Sequence, residues 1–336
     1  MRRGLAAFSG VVLAGVGAAA TASAAESVTI GVSRLQSCAP VAVAMAKGYF
    51  TAEGLDVHLS FFDAQQPIAV GVTSGDLDFG VAAETAALYS LAAEGNLHII
   101  AGGAGEEPTF HYLSIVASNQ AYAAGLKSPK DLAGHSFALT QMGTGLQYSL
   151  GLLAEKYHFD VKSVRLLPLQ GNGMIASALA GGRADAAIFN AAGALPLAEK
   201  GEVKILGWIG DETGFDQAYL FMTQAKIANE RPDTVRHVLA AFRHGARDYH
   251  DAFTDAHGHF HDEASAPEIL DILAKYIGQP PERVHQGLPY FDPEARIDAK
   301  DVQHQIDWYR SQGLLKGEVS AAKIIDKRYA VLRMEK

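Results

Sequence analysis

The stretch AMAKGYFTAEGLDVHLSFF, residues 44–62, decides the fold class. Small and apolar residues run as far as Lys47, a glycine follows, and after Gly54 apolar and polar residues alternate. The first part predicts a buried helix that ends at a glycine, and the second predicts a strand after a short turn. A helix followed at once by a strand is the repeating unit of an α/β sheet with covered faces.

The rest of the chain continues this alternation as far as Pro232, after which it is predicted to be helical to its end. Strands are predicted at 28–34, 55–62, 77–81, 97–101, 112–117, 136–140, 164–169, 184–189, 203–207 and 219–223. Helices are predicted at 40–48, 68–74, 86–94, 146–157, 174–180, 195–200, 233–253, 266–276 and 299–311. The segment GGAGEEPTFH, 102–111, is predicted to be irregular.

Two distant segments have the same order of residue types. SGDLDFGV (74–81) and GGRADAAI (181–188) each contain a helix end, a glycine, an acidic residue and an apolar strand. This pattern predicts two α/β lobes of similar plan, and a chain of 336 residues is long enough for two cores.

The first 24 residues have the pattern of a signal peptide. Arg2 and Arg3 precede an apolar run, and a small-residue cleavage site ends at Ala24. We therefore predict cleavage after about Ala24 and export to the periplasm, and the arginine pair leaves the Sec and twin-arginine routes open. No later segment has the length and apolar character of a membrane span.

The charge and the cysteine content exclude several classes of protein. There are 37 acidic against 28 basic residues, a balance that argues against nucleic acid or an anionic membrane as a partner. With Cys38 as the only cysteine, no disulfide can form within the chain.

The candidate binding site lies in the loops that follow the strands, because ligands of open α/β sheets bind at the carboxyl ends of the strands. Four loops qualify: SRLQSCAP (33–40), AAET (82–85), QMGTG (141–145) and FNAAG (189–193). Thr85 and Thr144 are predicted to cap the helices that follow, whose N-termini suit an anion. The alternative is that the glycines in these loops only turn the chain.

Side chains in or near these loops favour two different kinds of ligand, one anionic and one that carries an amino group. Arg34 would hold a carboxylate or sulfonate, or instead pair with a surface acid. Glu84 would suit an amino group, whereas we expect the adjacent Glu106 and Glu107 to face solvent. Phe110 and His111 would stack on a planar ligand or pack within the hinge.

No motif of an enzyme or of a cofactor site occurs in the sequence: there is no GxGxxG, P-loop, GxSxG or HExxH. We therefore predict no catalytic residues and no cofactor, and Cys38 is interpreted as a small packed residue. HGHFH (257–261), with Asp262 or Glu263, is a weaker zinc candidate, and we favour a solvated loop there.

The opening stretch closely resembles the signature of periplasmic substrate-binding proteins of the nitrate/sulfonate/taurine and thiamine-pyrimidine type, which serve ABC importers. Their helix reads A-x-x-x-G-[YF]-F and is followed by x-x-E-G-L-x-V. GVTSGDLDFGV, SPKDLAGHSFAL, ALAGGRADAAIF and GLLKGEVSAAKIIDKRYA are similar to further segments of that family, in the same order. The sequence departs from the family at FNAAGA (189–194), where tryptophan and proline are common, and at His135, where lysine is usual.

The resemblance implies a type II periplasmic binding protein fold, with two α/β lobes and a ligand cleft between them. Lobe I would comprise 25–114 and 219–336, lobe II 115–218, and the strand predictions put the crossings near 113–118 and 215–222. The protein would be a monomer that closes on a small organic anion and delivers it to an ABC permease in the inner membrane. A thiamine-related pyrimidine or other amino-bearing ligand is the alternative, followed by an enzyme on the same fold.

The residues predicted to bind the ligand come from the four loops and the lobe crossing. They are Arg34, Gln36, Ser37, Cys38, Glu84, Thr85, Phe110, His111, Gln141, Gly143, Thr144, Gly145 and Asn190.

Overall fold

The computed structural model describes residues 25–261 and 266–334. The predicted signal peptide, Asp262 and Glu263 lie outside the described residues. The strands are β1 Glu26–Val32, β2 Leu55–Phe61, β3 Phe79–Ala83, β4 Leu97–Gly102, β5 Ala104–Glu106, β6 Leu113–Ser118, β7 Ser136–Leu139, β8 Arg165–Pro168, β9 Ala186–Asn190, β10 Val203–Trp208, β11 Asp216–Gln217, β12 Tyr219–Gln224 and β13 Tyr290–Phe291.

The helices include long segments at the C-terminal end of the chain and short ones between the strands. They are α1 Ala39–Ala46, α2 Tyr49–Ala52, α3 Gln65–Ser74, α4 Ala86–Ala93, α5 Asn119–Ala124, α6 Gly145–Tyr157, α7 Asn172–Ala180, α8 Ala191–Glu199, α9 Ile209–Thr213, α10 Ala225–Glu230, α11 Pro232–Phe253, α12 Pro267–Ile277, α13 Pro281–His285, α14 Ala299–Ser311 and α15 Ala321–Ile324. Gln36–Cys38, Pro129–Asp131 and Val161–Ser163 are 3-10 helices. Within the described residues, none of the helices combines the length and apolar character needed to cross a bilayer.

Ten of the strands form two five-stranded sheets with the same topology, and β11, β5 and β13 form a small third sheet. The first has the order β2-β1-β3-β12-β4, and the second, read from its other edge, has the order β8-β7-β9-β6-β10. In each sheet one strand, β12 or β6, runs antiparallel to its neighbours. The predicted α/β plan with two similar halves is therefore confirmed, and residues 113–118, near which a crossing was predicted, lie inside the second sheet.

The acidic residue shared by the two similar segments has the same role in both sheets. Asp78 Oδ2 accepts a hydrogen bond of 2.8 Å from the amide of Thr29, in β1. Asp185 Oδ2 accepts one of the same length from the amide of Ser136, which begins β7. Each carboxylate thus satisfies a backbone donor on the neighbouring parallel strand, which explains why the two sequences share an acid at that point.

The opening stretch folds as predicted except at its turn. Helix α1 ends at Ala46, and Gly48 has the left-handed φ of +73° that favours glycine. The chain then forms the short helix α2, where a turn was predicted, before β2 begins at Leu55. Helix α1 is buried against α11, where a Cβ on Gly245 would lie 2.1 Å from the carbonyl oxygen of Pro40. Only glycine permits this approach, which lets α1 pack closely against α11.

Other differences from the prediction concern the small third sheet and the start of one helix. The ten predicted strands are confirmed with ends shifted by at most two residues. The segment expected to be irregular contains β5, which pairs with β11 and with β13 from the C-terminal region expected to be helical. Helix α8 begins four residues before the predicted position, because Asn190 accepts a hydrogen bond from the amide of Gly193 and caps it.

Candidate functional site

A cleft of about 710 Å³ lies between the two large sheets. All four predicted loops line it, through Leu35, through Ala83 and Thr85, through residues 141–145, and through Phe189 and Asn190. Tyr112 and Tyr219 line it where the chain passes between the sheets. This volume is in the range of small-molecule sites.

The two sides of the cleft touch where helices α4 and α6 begin. Thr85 and Thr144 form an antiparallel bridge, and the amide of Ala86 donates to the carbonyl of Gly143 over 3.0 Å. The positive ends of two helix dipoles therefore meet at the boundary between the sheets. An anion held there would interact favourably with both.

Both helices keep unbonded amides at this point. In α4 the hydroxyl of Thr85 accepts a hydrogen bond of 3.0 Å from the amide of Leu88, so the predicted cap is confirmed. Within the described part of the chain, the amides of Ala87 and Leu146 donate no hydrogen bond to protein. Both residues line the cleft, so the two amides are available to a ligand.

Thr144 occupies the N-cap position of α6, but its predicted capping hydrogen bond is absent. Its hydroxyl instead donates to the carbonyl of Gln141 over 3.2 Å. The side chain of Gln147 folds back and accepts a hydrogen bond of 2.7 Å from the amide of Gly143. The loop is therefore held from both ends, which leaves the first turn of α6 open toward the cleft.

The first predicted loop contributes less to the cleft than its position suggested. The guanidinium of Arg34 donates to the carbonyl of Tyr276 over 3.0 Å and lies over the ring of Phe61, outside the cleft lining. Three further residues of this loop are buried and do not line the cleft: Gln36, Ser37 and Cys38. Leu35 is the residue of this loop that lines it. Burial raises the pKa of the Cys38 thiol, so it remains protonated.

The two aromatic candidates at the crossing lie away from the cleft. Phe110 is fully buried and packs edge-on against Phe260 and Tyr290. His111 stacks on Trp208 with ring centroids 4.6 Å apart and contacts Asp211. Both residues therefore pack against neighbouring side chains, as the alternative to ligand stacking predicts.

The floor of the cleft contains acidic residues from distant parts of the chain. Asp216 lines it, and Glu84 lies behind it, fully buried. Burial, and next the negative charge of Asp301, raises the pKa of both carboxyl groups well above the usual range. Glu106 is also fully buried, so the expectation that it faces solvent is wrong.

Apart from two acids the lining is uncharged, and it combines polar with apolar side chains. None of the described residues that line the cleft is a lysine, arginine or histidine, and its acids are Asp63 and Asp216. Across the described ranges, no group of three or more His, Cys, Asp or Glu side chains could hold a metal ion. His257 and His259 lie on an exposed loop instead.

Sequence reasoning missed the residues that long-range contacts bring to the cleft. Tyr148 and Ser149 follow QMGTG on the same helix, and helical periodicity would have placed them near the site. Asp216 and Gln305 have no local signal, because they lie in a two-residue strand and a C-terminal helix.

The profile of the family described as NMT1/THI5 like matches residues 36–253, more than half of the chain. No curated protein resembles the sequence closely enough to count as a relative.

Solved structures of similar fold include two sulfonate-binding proteins. The alkanesulfonate-binding protein SsuA from Xanthomonas axonopodis pv. citri has a TM-score of 0.67 and 18% identity, over 89% of this chain and 98% of that one. The periplasmic aliphatic sulphonate-binding protein SsuA from Escherichia coli has a TM-score of 0.69 and 17% identity, over 93% and 95%. The desulfurization enzyme DSZB has a TM-score of 0.60 and 15% identity, over 90% and 97%. The predicted periplasmic binding protein fold is therefore confirmed.

Proposed function

The chain belongs to the NMT1/THI5-like family, and from this premise we propose that it is the solute-binding component of an ABC importer. It captures a small organic anion, a sulfonate or a carboxylate, between its two lobes and delivers it to a permease. The fold shared with sulfonate-binding proteins supports a binding role.

The observation that carries the proposal is the meeting of α4 and α6 at the cleft. Their N-termini touch through the Thr85–Thr144 bridge, and the amides of Ala87 and Leu146 are open to a ligand. Each helix N-terminus carries about half a positive charge, so the pair acts as a cationic site without a basic side chain. An oxyanion with two or more oxygens would accept from both amides.

We propose export to the periplasm after cleavage near Ala24, and action as a monomer that docks on an inner-membrane permease. Binding is favoured over catalysis because Cys38, the only thiol, is buried outside the cleft lining. A buried neutral thiol is a poor nucleophile.

The test uses two substitutions at one position, Thr144→Asp and Thr144→Asn. Both side chains cap helices well, and they differ mainly by one negative charge. The anions are methanesulfonate, benzenesulfonate, butyrate and benzoate, and affinity is measured by calorimetry on residues 25–336. A carboxylate about 5 Å from a bound anion costs about 3 kcal/mol at an effective dielectric constant of about 20, or roughly 100-fold in affinity.

We expect wild-type protein and Thr144→Asn to bind the same anion within about threefold, and Thr144→Asp to bind it roughly 100-fold more weakly. Thermal unfolding without ligand checks that both variants are folded. Equal affinity of the two variants would refute the placement of the anion at α6. Failure to bind these four anions and also their amino-bearing counterparts would refute the proposed function.

A further inference from the structure

The deepest part of the cleft is a polar recess beside Asp216. Five of the residues that line the cleft there are almost fully buried, with exposures of no more than 3%: Tyr148, Ser149, Asp216, Gln217 and Gln305. They come from α6, β11 and α14, so both sides of the cleft and the crossing between them contribute. A recess built from buried polar side chains needs hydrogen-bond partners for all of them.

Asp216 lacks strong partners in this recess. Its two carboxylate oxygens accept long hydrogen bonds, of 3.3 Å from the hydroxyl of Ser149 and 3.5 Å from the side-chain amide of Gln305. The nearby Asp301, by contrast, accepts three bonds of 2.8 to 3.1 Å. Asp216 therefore has capacity for a further donor.

A second carboxylate beside the recess is also incompletely bonded. Glu84 is fully buried, one of its oxygens accepts from the hydroxyl of Tyr89, and the other, Oε1, has no hydrogen-bond partner. Leaving a buried carboxylate oxygen unpaired is costly, so this region of the protein lacks a donor or a positive charge.

Among the described residues, no basic side chain acts as a counter-ion for these carboxylates. The charged groups that raise the pKa of Asp216, after burial, are the acids Asp301 and Glu106. No described lysine, arginine or histidine lines the cleft, and no described group of ligating side chains could hold a metal. An organic cation fits these facts, because an ammonium group supplies three donors and one positive charge.

We propose that the recess beside Asp216 binds a protonated amino group of the ligand whose acidic group lies at α4 and α6. The proposal rests on the proposed function and narrows its substrate class to amino acids in the broad sense, with an anionic and an ammonium end. The carboxylate of Asp216 accepts from the ammonium group, and Ser149 and Gln305 position that carboxylate.

The experiment compares pairs of acids that differ by one amino group. The pairs are γ-aminobutyrate with butyrate, aminopropanesulfonate with propanesulfonate, and (aminomethyl)benzoate with methylbenzoate. Affinities are measured for the wild-type protein, for Asp216→Asn and for Asp63→Asn, a matched control at the other acid of the lining.

For at least one pair, we expect the wild-type protein to bind the amino-bearing member about 100-fold more tightly. Asp216→Asn should reduce this preference to under about tenfold, and Asp63→Asn should retain it. Equal affinity within every pair, or a preference that survives in Asp216→Asn, would overturn the ammonium site and leave the anion site standing. Binding of propylamine or benzylamine in the absence of binding by any acid would overturn the anion site instead. The wild-type comparison needs no variant, so it stands even if Asp216→Asn fails to fold.

Discussion

Replacement of Tyr148 by phenylalanine tests the contact between the two sides of the molecule. Tyr148 lies on α6, and its hydroxyl donates to Oδ1 of Asp301, on α14, over 2.9 Å. The same hydroxyl lies 2.7 Å from Nδ1 of His304. Phenylalanine keeps the ring, which packs edge-on against Trp308, and removes only the hydroxyl. The variant therefore removes the hydrogen bond to a buried carboxyl group together with the contact to His304, and the pH dependence separates the two.

The size of the effect depends on whether Asp301 is charged. Burial raises the pKa of Asp301 to about 6, and the hydrogen bond from Tyr148 acts in the opposite direction. Loss of this bond raises the pKa of Asp301 further. The full loss of stability is therefore seen only at a pH where the carboxylate is ionised. We expect the free energy of unfolding to fall by about 2 kcal/mol at about pH 8. At about pH 5 the group is protonated and the loss should shrink to about 1 kcal/mol, a difference equivalent to a pKa change of just under one unit.

The assay is urea unfolding of wild-type protein and Tyr148→Phe at both pH values without added ligand. Tyr122→Phe is the matched control, because the ring of Tyr122 lies under Lys127 and its hydroxyl makes no hydrogen bond in the described chain. It should leave the free energy of unfolding nearly unchanged at both pH values. A loss for Tyr148→Phe that is the same at both pH values would refute the assignment of the bond to Asp301.

Two further substitutions test packing and the first loop. Gly151→Ala should lower the free energy of unfolding by about 1–3 kcal/mol in urea, because the new Cβ would lie 2.3 Å from Nε1 of Trp308. The control is Gly173→Ala in another helix, where a Cβ meets open space. This control should raise the free energy of unfolding by up to about 1 kcal/mol. Equal effects of the two would contradict the close α6–α14 contact. Arg34→Ala should change the affinity for the best-binding anion by no more than about threefold in calorimetry, because Arg34 packs on Phe61 and bonds to the carbonyl of Tyr276. A loss of about 100-fold would instead place its guanidinium at the ligand.

The candidate site could be predicted in part from the sequence. The rule that ligands bind at the carboxyl ends of the strands led to the loops that contain Thr85, Thr144 and Asn190, and these loops line the cleft. The same rule included Arg34, but a side chain at a strand end can turn in several directions. Contact with Phe61 and with the carbonyl of Tyr276, which lies 242 residues away, decides its direction.

The sequence by itself determined the features that depend on neighbouring residues. The periods of the helices and strands, the glycine at 48 and the cap at Thr85 follow from backbone sterics and local hydrogen bonds, which act within a few residues. Asp78 and Asp185 each stand directly before a strand. This local pattern was enough to predict the two similar halves from the sequence.

Only the tertiary structure decided the chemistry of the cleft floor. Asp216 and Gln305 meet across 89 positions of the chain, and the pairing of β5 with β11 and β13 joins three separate segments. Burial then changes the acids themselves, because a carboxyl group removed from water retains its proton more strongly. The position and charge of such a group depend on the packed surroundings, which no short stretch of sequence contains.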